Sequence, residues 1–272
     1  MNQDKESLGA TEESITLFQS LVEVNPAPYT PNLASELSNL GIWLLELNWH
    51  EESLGATEES ITLYQSLVEK NPTSYTPHLA NQLGELGIWL LNLNQHKELL
   101  GTTEESITLF QSLVEKNPAS YTLYLAYFLN SLGILLSKLN QHGESLGAAQ
   151  ESVALHRSLV EKNPTLYTPR LANCLGGLSI QFSNLNQHGE SLGAAQESIA
   201  LYQALVKRNP VSYAPNLACE LGNISVTLSN LNWHMESIGA AQESVSLYWL
   251  IQIPHHILQI SLMSSVIWVF SF

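Results

Sequence analysis

The chain has little positive charge. Its 272 residues include only 10 lysines and arginines against 25 aspartates and glutamates, which gives a formal net charge of −15. Proteins that bind DNA or RNA neutralise phosphates with lysine and arginine, so this composition argues for no nucleic-acid partner. An anionic membrane surface is disfavoured for the same reason. Only 13% of the residues are charged, about half the usual share, so solubility must also rest on Asn, Gln, Ser and Thr.

Cysteine is scarce too, and no leader sequence is evident. The chain has only two cysteines, Cys174 and Cys219, whereas an oxidised secreted scaffold would carry more. We therefore expect two reduced, buried thiols. Residues 1–5 lead into no apolar run behind a basic start, so we expect no secretory signal peptide. Together these features predict a cytoplasmic protein.

What the chain does contain is a repeat. The word Glu-Ser-Leu-Gly-Ala, or a close variant, recurs at a constant interval of 46 residues, beginning at Glu6, Glu52, Glu98, Glu144, Glu190 and Glu236. A fixed period of 20 to 50 residues indicates one supersecondary unit stacked on copies of itself. Within each copy, apolar residues recur three and four residues apart in two segments, which predicts two helices. The turn between them, at residues 48–50, is short enough only for antiparallel neighbours.

The boundaries of the helices follow from proline and threonine. Residues 1–25 are predicted to form a leading helix without a partner before it, and residues 26–248 to form the helical hairpins. Thr30 is expected to cap the first helix of the first hairpin, and Pro31 to occupy its first position, where a missing N–H costs nothing. This helix should end near Leu47.

Glycines recur inside the second helices. They stand at equivalent positions in the six copies, at Gly9, Gly55, Gly101, Gly147, Gly193 and Gly239. A glycine inside a helix costs about 1 kcal/mol relative to alanine, so a compensating gain is expected. Close approach of two helix backbones would supply that gain, and a flexible hinge is the alternative.

The unit resembles a known repeat. The resemblance is carried by Leu40-Gly41, Leu44, Glu52-Ser53, Ala56 and Ser60, followed by a closing proline. These residues are similar to the tetratricopeptide repeat (TPR) over about residues 5–248. The period is 46 rather than the usual 34, Ser53 and Ser60 stand where alanine is normal, and the first-helix aromatics are mostly leucine. Longer repeats of this kind resemble kinesin-light-chain-like arrays and those beside signalling ATPase modules.

The resemblance implies an all-α fold, a right-handed α-solenoid of antiparallel helical hairpins in the form of a TPR-like superhelix. HEAT and armadillo units, with periods of about 40 to 47, are the alternative. The sequence contains no constellation that predicts an enzyme, a cofactor or a metal site. Histidine recurs once per repeat, but equivalent positions on stacked helices lie at least about 8 to 10 Å apart, whereas zinc needs nitrogens at about 2.0 to 2.1 Å. Repeated glutamate pairs are typical of a solvated face.

The C-terminal residues 249–272 leave the repeat. Pro254 interrupts the last helix, and residues 257–272 form an apolar run softened by Gln and Ser. As a helix this run would span about 24 Å, short of the roughly 30 Å hydrocarbon core of a membrane. Three interpretations remain open. The segment could cover the open end of the solenoid, come from a truncated or misread gene model, or act as a marginal membrane anchor.

The resemblance also implies a function. In TPR arrays the first helices line a concave groove that binds a peptide or a helix of a partner protein, and asparagine amides can both donate to and accept from a peptide backbone. The predicted partner-binding residues are Asn81, Asn92, Tyr127, Asn130, Lys138, Asn173, Asn184 and Asn230. A plain polar surface is the alternative for these positions. We expect a protein-interaction scaffold. The alternatives are a regulatory part of a larger STAND-type signalling ATPase and a membrane adaptor anchored through residues 257–272.

Overall fold

The computed structural model describes residues 2–92 and 96–252, with side chains from Leu8 onward apart from those of residues 88, 89, 91–99 and 250–252. Eleven α-helices account for nearly all of these residues, and none of them lies in a strand. The helices are α1 (Asn2–Val24), α2 (Pro26–Glu46), α3 (His50–Lys70), α4 (Pro72–Asn92), α5 (His96–Lys116), α6 (Pro118–Lys138), α7 (His142–Lys162), α8 (Pro164–Asn184), α9 (His188–Val206), α10 (Pro210–Asn230) and α11 (His234–Gln252). The predicted all-α class of antiparallel hairpins is confirmed.

The chain divides into two compact units, residues 1–135 and residues 136–272. In the first unit each helix from α1 to α4 packs on the next one along the chain. The ring of Phe110 in α5 stacks on Tyr124 and Phe128 in α6, with centroids 5.5 and 5.4 Å apart. In the second unit α7 to α11 pack in the same sequential way, and the core of this unit is centred on Leu175, Tyr202 and their neighbours.

The first helices begin five residues earlier than predicted, so the expected roles of Thr30 and Pro31 are wrong. Helix α2 starts at Pro26 after the extended residue Asn25, and Pro31 lies inside the helix. The Asn-Pro pair therefore starts the helix in the way that was expected of Thr-Pro, with proline at the first helical position. In α8 the cap is complete, since the side chain of Asn163 accepts a hydrogen bond from the amide of Leu166. The hydroxyl of Thr30 instead donates to the carbonyl of Pro26, at 2.7 Å.

Asparagine ends the first helices. Asn48, Asn140, Asn186 and Asn232 adopt positive φ angles between 58° and 62°. At the end of α8 the amide of Asn186 donates to Ser183 and that of Gln187 donates to Phe182, both at 2.9 Å. These two bonds define the Schellman motif, in which a left-handed residue follows the helix and its last carbonyls find partners. The motif reverses the chain into the second helix.

Serine hydroxyls join the two helices of a hairpin. Ser60 in α3 donates to the carbonyl of Ala34 in α2, at 2.7 Å, and both residues are fully buried. The same bond recurs from Ser106 to Ala80, Ser198 to Ala172 and Ser244 to Ala218, at 2.6 to 2.7 Å. A second bond runs from Ser53 to the carbonyl of Gly41, at 2.7 Å. The serines that depart from the usual TPR pattern are therefore structural hydrogen-bond donors.

The explanation of the recurrent second-helix glycines by close backbone approach is wrong. A Cβ atom added at Gly9, Gly55, Gly101, Gly147, Gly193 or Gly239 would meet nothing within 4 Å. Close contact occurs instead at first-helix glycines. A Cβ at Gly84 would collide with the ring of Phe128, and one at Gly176 with the carboxylate of Glu220.

One of the described helices, α6, is long and apolar enough to cross a membrane by length and composition alone. Half of its most apolar stretch is buried in the fold, and Leu125, Phe128 and Leu129 are among its core residues. A helix that packs in the core of a protein passes the same test of length and apolar composition.

Alanine substitutions at Gly84 and Gly55 should change stability in opposite directions. Gly84→Ala places a methyl group against a buried ring, and such overpacking costs about 1 to 3 kcal/mol. Gly55→Ala fills open space and should raise the free energy of unfolding by about 1 kcal/mol through helix propensity. Urea unfolding of both variants beside the parent chain measures the two changes. A shift of the same sign in both would contradict the structure.

Replacing Asn186, which has a positive φ angle, by alanine should destabilise the second unit by about 1 kcal/mol. Residues other than Gly, Asn and Asp are disfavoured in this left-handed conformation. Asn186→Gly serves as the matched control and should change the free energy of unfolding by much less, since glycine adopts this conformation readily. Amide hydrogen exchange in α8 and α9 reports the effect locally. Equal exchange rates in the alanine and glycine variants would argue against the capping role.

Candidate binding face of the first helices

Four of the first helices, α2, α6, α8 and α10, each leave one stripe of mostly exposed side chains. In α2 the residues that face the core include Leu33, Ala34 and Leu37, whereas Ser35, Asn39, Ile42 and Glu46 are exposed. These four positions are four, three and four residues apart, which places them on one side of the helix. We call this set and its equivalents in α4, α6, α8 and α10 the outward stripe.

Seven of the eight predicted partner-binding residues fall on the outward stripe, and Asn130 lies beside it. In the first unit Asn81 and Asn130 are half-buried and Tyr127 is exposed. In the second unit all four predicted residues are exposed: Lys138, Asn173, Asn184 and Asn230. The side chain of Asn92 lies outside the described residues. The fold thus exposes five of the predicted residues, Tyr127, Lys138, Asn173, Asn184 and Asn230.

Two of the asparagine amides have partners within the protein. The Nδ2 atom of Asn81 donates to Glu85 Oε1 at 3.0 Å, one turn along α4. In the second unit Asn184 Nδ2 donates to Ser137 Oγ at 3.1 Å. Ser137 belongs to the last turn of α6 and Asn184 to the last turn of α8.

The sequence analysis missed an apolar component of the outward stripe. Ile42, Ile134, Ile180 and Val226 occupy one position of the repeat and are 37% to 59% exposed. A polar residue stands four positions further on in each case, for instance Asn184 after Ile180. The sequence did contain a signal for it. An apolar residue recurs in each copy at a position that does not follow the spacing of the buried residues. Each of these four stripes therefore combines a branched apolar side chain with polar groups.

Two carboxyl groups near this face were also missed. Glu85 lies on the outward stripe of α4, and burial raises the pKa of its carboxyl above the ordinary value, although the hydrogen bond from Asn81 partly offsets this. Glu220 in α10 is only 7% exposed and lies against Gly176 of α8. Burial raises the pKa of Glu220 to about 7, and the side chain of Asn223 partly offsets this. Among the described residues, one carboxylate oxygen of each has no hydrogen-bond partner.

A buried cysteine and histidine meet in the second unit. His156 Nδ1 lies 3.5 Å from Cys174 Sγ and 2.9 Å from the carbonyl oxygen of Ser152. Burial raises the pKa of the Cys174 thiol to about 11 and lowers that of the imidazole. A neutral thiol beside a neutral imidazole is a poor nucleophile, so this contact belongs to the core. Both thiols are free, but the expectation that both are buried is wrong for Cys219, which is exposed.

The repeated histidines lie at helix ends. His50, His142, His188 and His234 are the first residues of their second helices. Throughout the described ranges, no three His, Cys, Asp or Glu side chains come together in a way that could hold a metal ion.

Comparisons with known proteins agree with this architecture. Residues 125–164 match the family model described as Tetratricopeptide repeat. The crystal structure of BtubC (BKLC) from P. vanneervenii is similar, with a TM-score of 0.71 and 12% identity over 93% of each chain. A putative kinesin light chain from Podosopora anserina with nearly identical TPR-like repeats gives a TM-score of 0.64 at 12% identity, over 84% of this chain and 100% of that one.

A third structure, YrrB, is described as a TPR protein with an unusual peptide-binding site. It gives a TM-score of 0.51 at 16% identity, over 91% of this chain and 97% of that one. No match was found among curated protein sequences. The predicted resemblance to a TPR array is confirmed. This fold is typically a non-enzymatic scaffold for interactions between proteins.

Glu220 should make the stability of the second unit depend on pH. Because the pKa of its carboxyl is higher in the folded chain than in the unfolded chain, ionisation opposes folding, and stability is lost as the pH rises through about 7. Glu220→Gln should therefore stabilise α10 by on the order of 2 kcal/mol near pH 8.5 and change little near pH 5. Gln82 already occupies the equivalent position in α4, also buried.

Amide hydrogen exchange in α10 at the two pH values, corrected for intrinsic rates, measures this difference. Glu190→Gln is the control, because Glu190 is exposed in the first turn of α9. If both variants show the same change between the two pH values, Glu220 is not the group responsible.

Proposed function

Because the chain has the fold of TPR proteins, we propose that it is a cytoplasmic protein-interaction scaffold whose outward stripes bind a peptide or a helix of a partner protein. The observation that carries this proposal is the composition of the stripes. In the four whose central side chain is described, an exposed branched apolar residue recurs at one position with polar side chains one turn away. A uniformly solvated surface has no need of this repeated apolar position.

The chemistry of the stripe suits a peptide. In α8, Ile180 stands between Asn173 and Asn184, all of them exposed. An isoleucine offers an apolar contact for a ligand side chain, while an asparagine amide can pair with both the N–H and the C=O of a ligand backbone. An extended segment presents these groups together. One stripe provides few such contacts, so a ligand of useful affinity would engage the stripes of several helices.

The charge of the outward stripes and of the whole chain restricts the kind of peptide that could bind. Lys138 is the one cation on the described outward stripes, whereas Glu46 and Glu85 contribute acids, and the whole chain carries a net charge of −15. Like charges placed opposite each other weaken association. A neutral or basic segment is therefore the expected ligand, rather than an acidic peptide or a free C-terminal carboxylate that needs a basic clamp.

Other functions remain predictions from the sequence. A regulatory role as part of a larger signalling ATPase is implied only by the resemblance to repeats found beside such modules. A membrane adaptor would depend on residues 257–272, which lie outside the described residues.

Loss of the α8 stripe should abolish partner capture. The full chain, the triple variant Asn173→Ala, Ile180→Ala, Asn184→Ala and a control variant would each be used to isolate proteins from the source cell. The control carries Gln196→Ala and Gln203→Ala on the exposed side of α9. Proteins retained by the parent chain and the control, but lost from the stripe variant, would support the proposal.

The affinity of a captured partner then gives a quantitative test. A peptide from that partner should bind the stripe variant at least about tenfold more weakly than the control, which corresponds to about 1.4 kcal/mol. Fluorescence anisotropy with the labelled peptide measures both dissociation constants. Equal affinity for the two variants would show that the outward stripe is not the binding face.

A further inference from the structure

Helix α6 exposes two tyrosines on one side. Tyr127 stands on the outward stripe and is 44% exposed, and Tyr124, one turn earlier, is 45% exposed. At the positions equivalent to Tyr127 the other first helices have small or polar residues, namely Ser35, Asn81, Asn173 and Cys219. At those equivalent to Tyr124 they have Asn32, His78, Arg170 and Asn216. The tyrosine pair therefore distinguishes this hairpin from its copies.

Both tyrosine rings rest on buried aromatic neighbours. The ring of Tyr124 stacks on Phe110 of α5, with centroids 5.5 Å apart and planes that differ by 5°. The ring of Tyr127 meets Phe128 edge-on, with centroids 5.1 Å apart. Phe110 and Phe128 are fully buried and stack on each other. Since these contacts already restrict the tyrosine side chains, a ligand that binds them loses little of its affinity to side-chain ordering.

Helix α4 brings a carboxylate to the same part of the first unit. A Cβ atom at Gly84 of α4 would collide with the ring of Phe128 of α6, so the two first helices lie against each other at this point. Glu85 follows Gly84 on the outward stripe of α4, and Tyr127 precedes Phe128 on that of α6. Glu85 and Tyr127 therefore stand on opposite sides of one groove between the two stripes.

The carboxylate of Glu85 is only half satisfied. Its Oε1 atom accepts a hydrogen bond from Asn81 Nδ2 at 3.0 Å, whereas its buried Oε2 atom has no hydrogen-bond partner among the described residues. Burial raises the pKa of this carboxyl, because its charge is partly removed from water. The outward stripes within residues 1–135 contain no lysine or arginine in the sequence. The chemistry of the groove thus calls for a cation.

We propose that the groove between Glu85 and Tyr127 binds an arginine side chain of the partner segment. A guanidinium group is planar, so it can stack on the exposed Tyr127 ring and donate hydrogen bonds to a carboxylate at the same time. A rotation of the half-buried Glu85 side chain turns Oε2 towards this group. The net charge of −15 favours such a ligand. This assignment rests on the proposed peptide-binding function and names the residue type that its ligand supplies.

Selection from a phage library of random peptides of about 12 residues, with the full chain as bait, supplies the probes. The selected peptides should contain arginine. Each is then synthesised with arginine or with citrulline, which keeps the planar shape and lacks the charge. Fluorescence anisotropy should show that the citrulline peptide binds the parent chain at least about tenfold more weakly.

Variants of the chain connect this difference to the groove. Glu85→Gln should weaken the arginine peptide at least about tenfold and largely remove the difference between arginine and citrulline. Tyr127→Asn, which introduces the residue of the equivalent positions in α4 and α8, should weaken the arginine peptide, and Tyr127→Phe should retain binding. Glu46→Gln is the control, because Glu46 is an exposed acid on the outward stripe of α2. Amide hydrogen exchange in α4 and α6 verifies that each variant is folded.

The outcomes separate this inference from the function on which it rests. Selected peptides that lack arginine, but lose binding to the α8 stripe variant, would overturn the inference and leave the proposed function standing. Equal binding of arginine and citrulline peptides, or of arginine and lysine peptides, would also overturn it. Equal losses in Glu85→Gln and Glu46→Gln would show that the net charge is responsible rather than the groove. If the chain selects no peptide at all, both proposals fail.

Discussion

The hydrogen bond from a second-helix serine to a first-helix carbonyl sets the geometry of each hairpin in which it is seen. Ser60 and Ala34 show why: the donor side chain is short, so it reaches the carbonyl only if the two backbones lie close together. A carbonyl oxygen has two lone pairs and can accept this bond beside its own helical one. Small residues are then required at the contact. The fixed distance between the helices in turn aligns the leucine and isoleucine side chains that form the core.

Much of this architecture could be predicted from the sequence, because the 46-residue period and the apolar spacing report directly on stacked helical hairpins. The start of the first helices was predicted wrongly because Asn-Pro and Thr-Pro both carry the chemistry of a helix start, and only the fold shows that the earlier pair is used. The glycines of the second helices were misinterpreted because a sequence gives no distance to neighbouring atoms. Gly84 has Phe128 above it, whereas Gly55 has open space.

The candidate site was predictable in part. The resemblance to TPR arrays pointed to the asparagines, since it implies that these positions of the first helices line a groove. Ile180 was missed because an isoleucine is usually assigned to the core. Glu220 was missed because its burial depends on Gly176 in the preceding first helix, a contact between residues 44 positions apart in sequence. Gln82, Cys174 and Glu220 occupy one buried position of the repeat, two residues after Ala80, Ala172 and Ala218, which all accept the serine bond. These hairpins therefore keep the bond while the packing around it changes.

The serine bonds have one more property. They join residues 26 or 12 positions apart in sequence, so each bond lies well inside one period of 46. A deletion or duplication of a whole period would therefore leave each remaining serine with an alanine carbonyl at the same spacing, which belongs either to its own copy or to the equivalent position of another copy. Arrays built on this bond can change in length by one hairpin at a time, and the number of copies is a quantity on which selection can act.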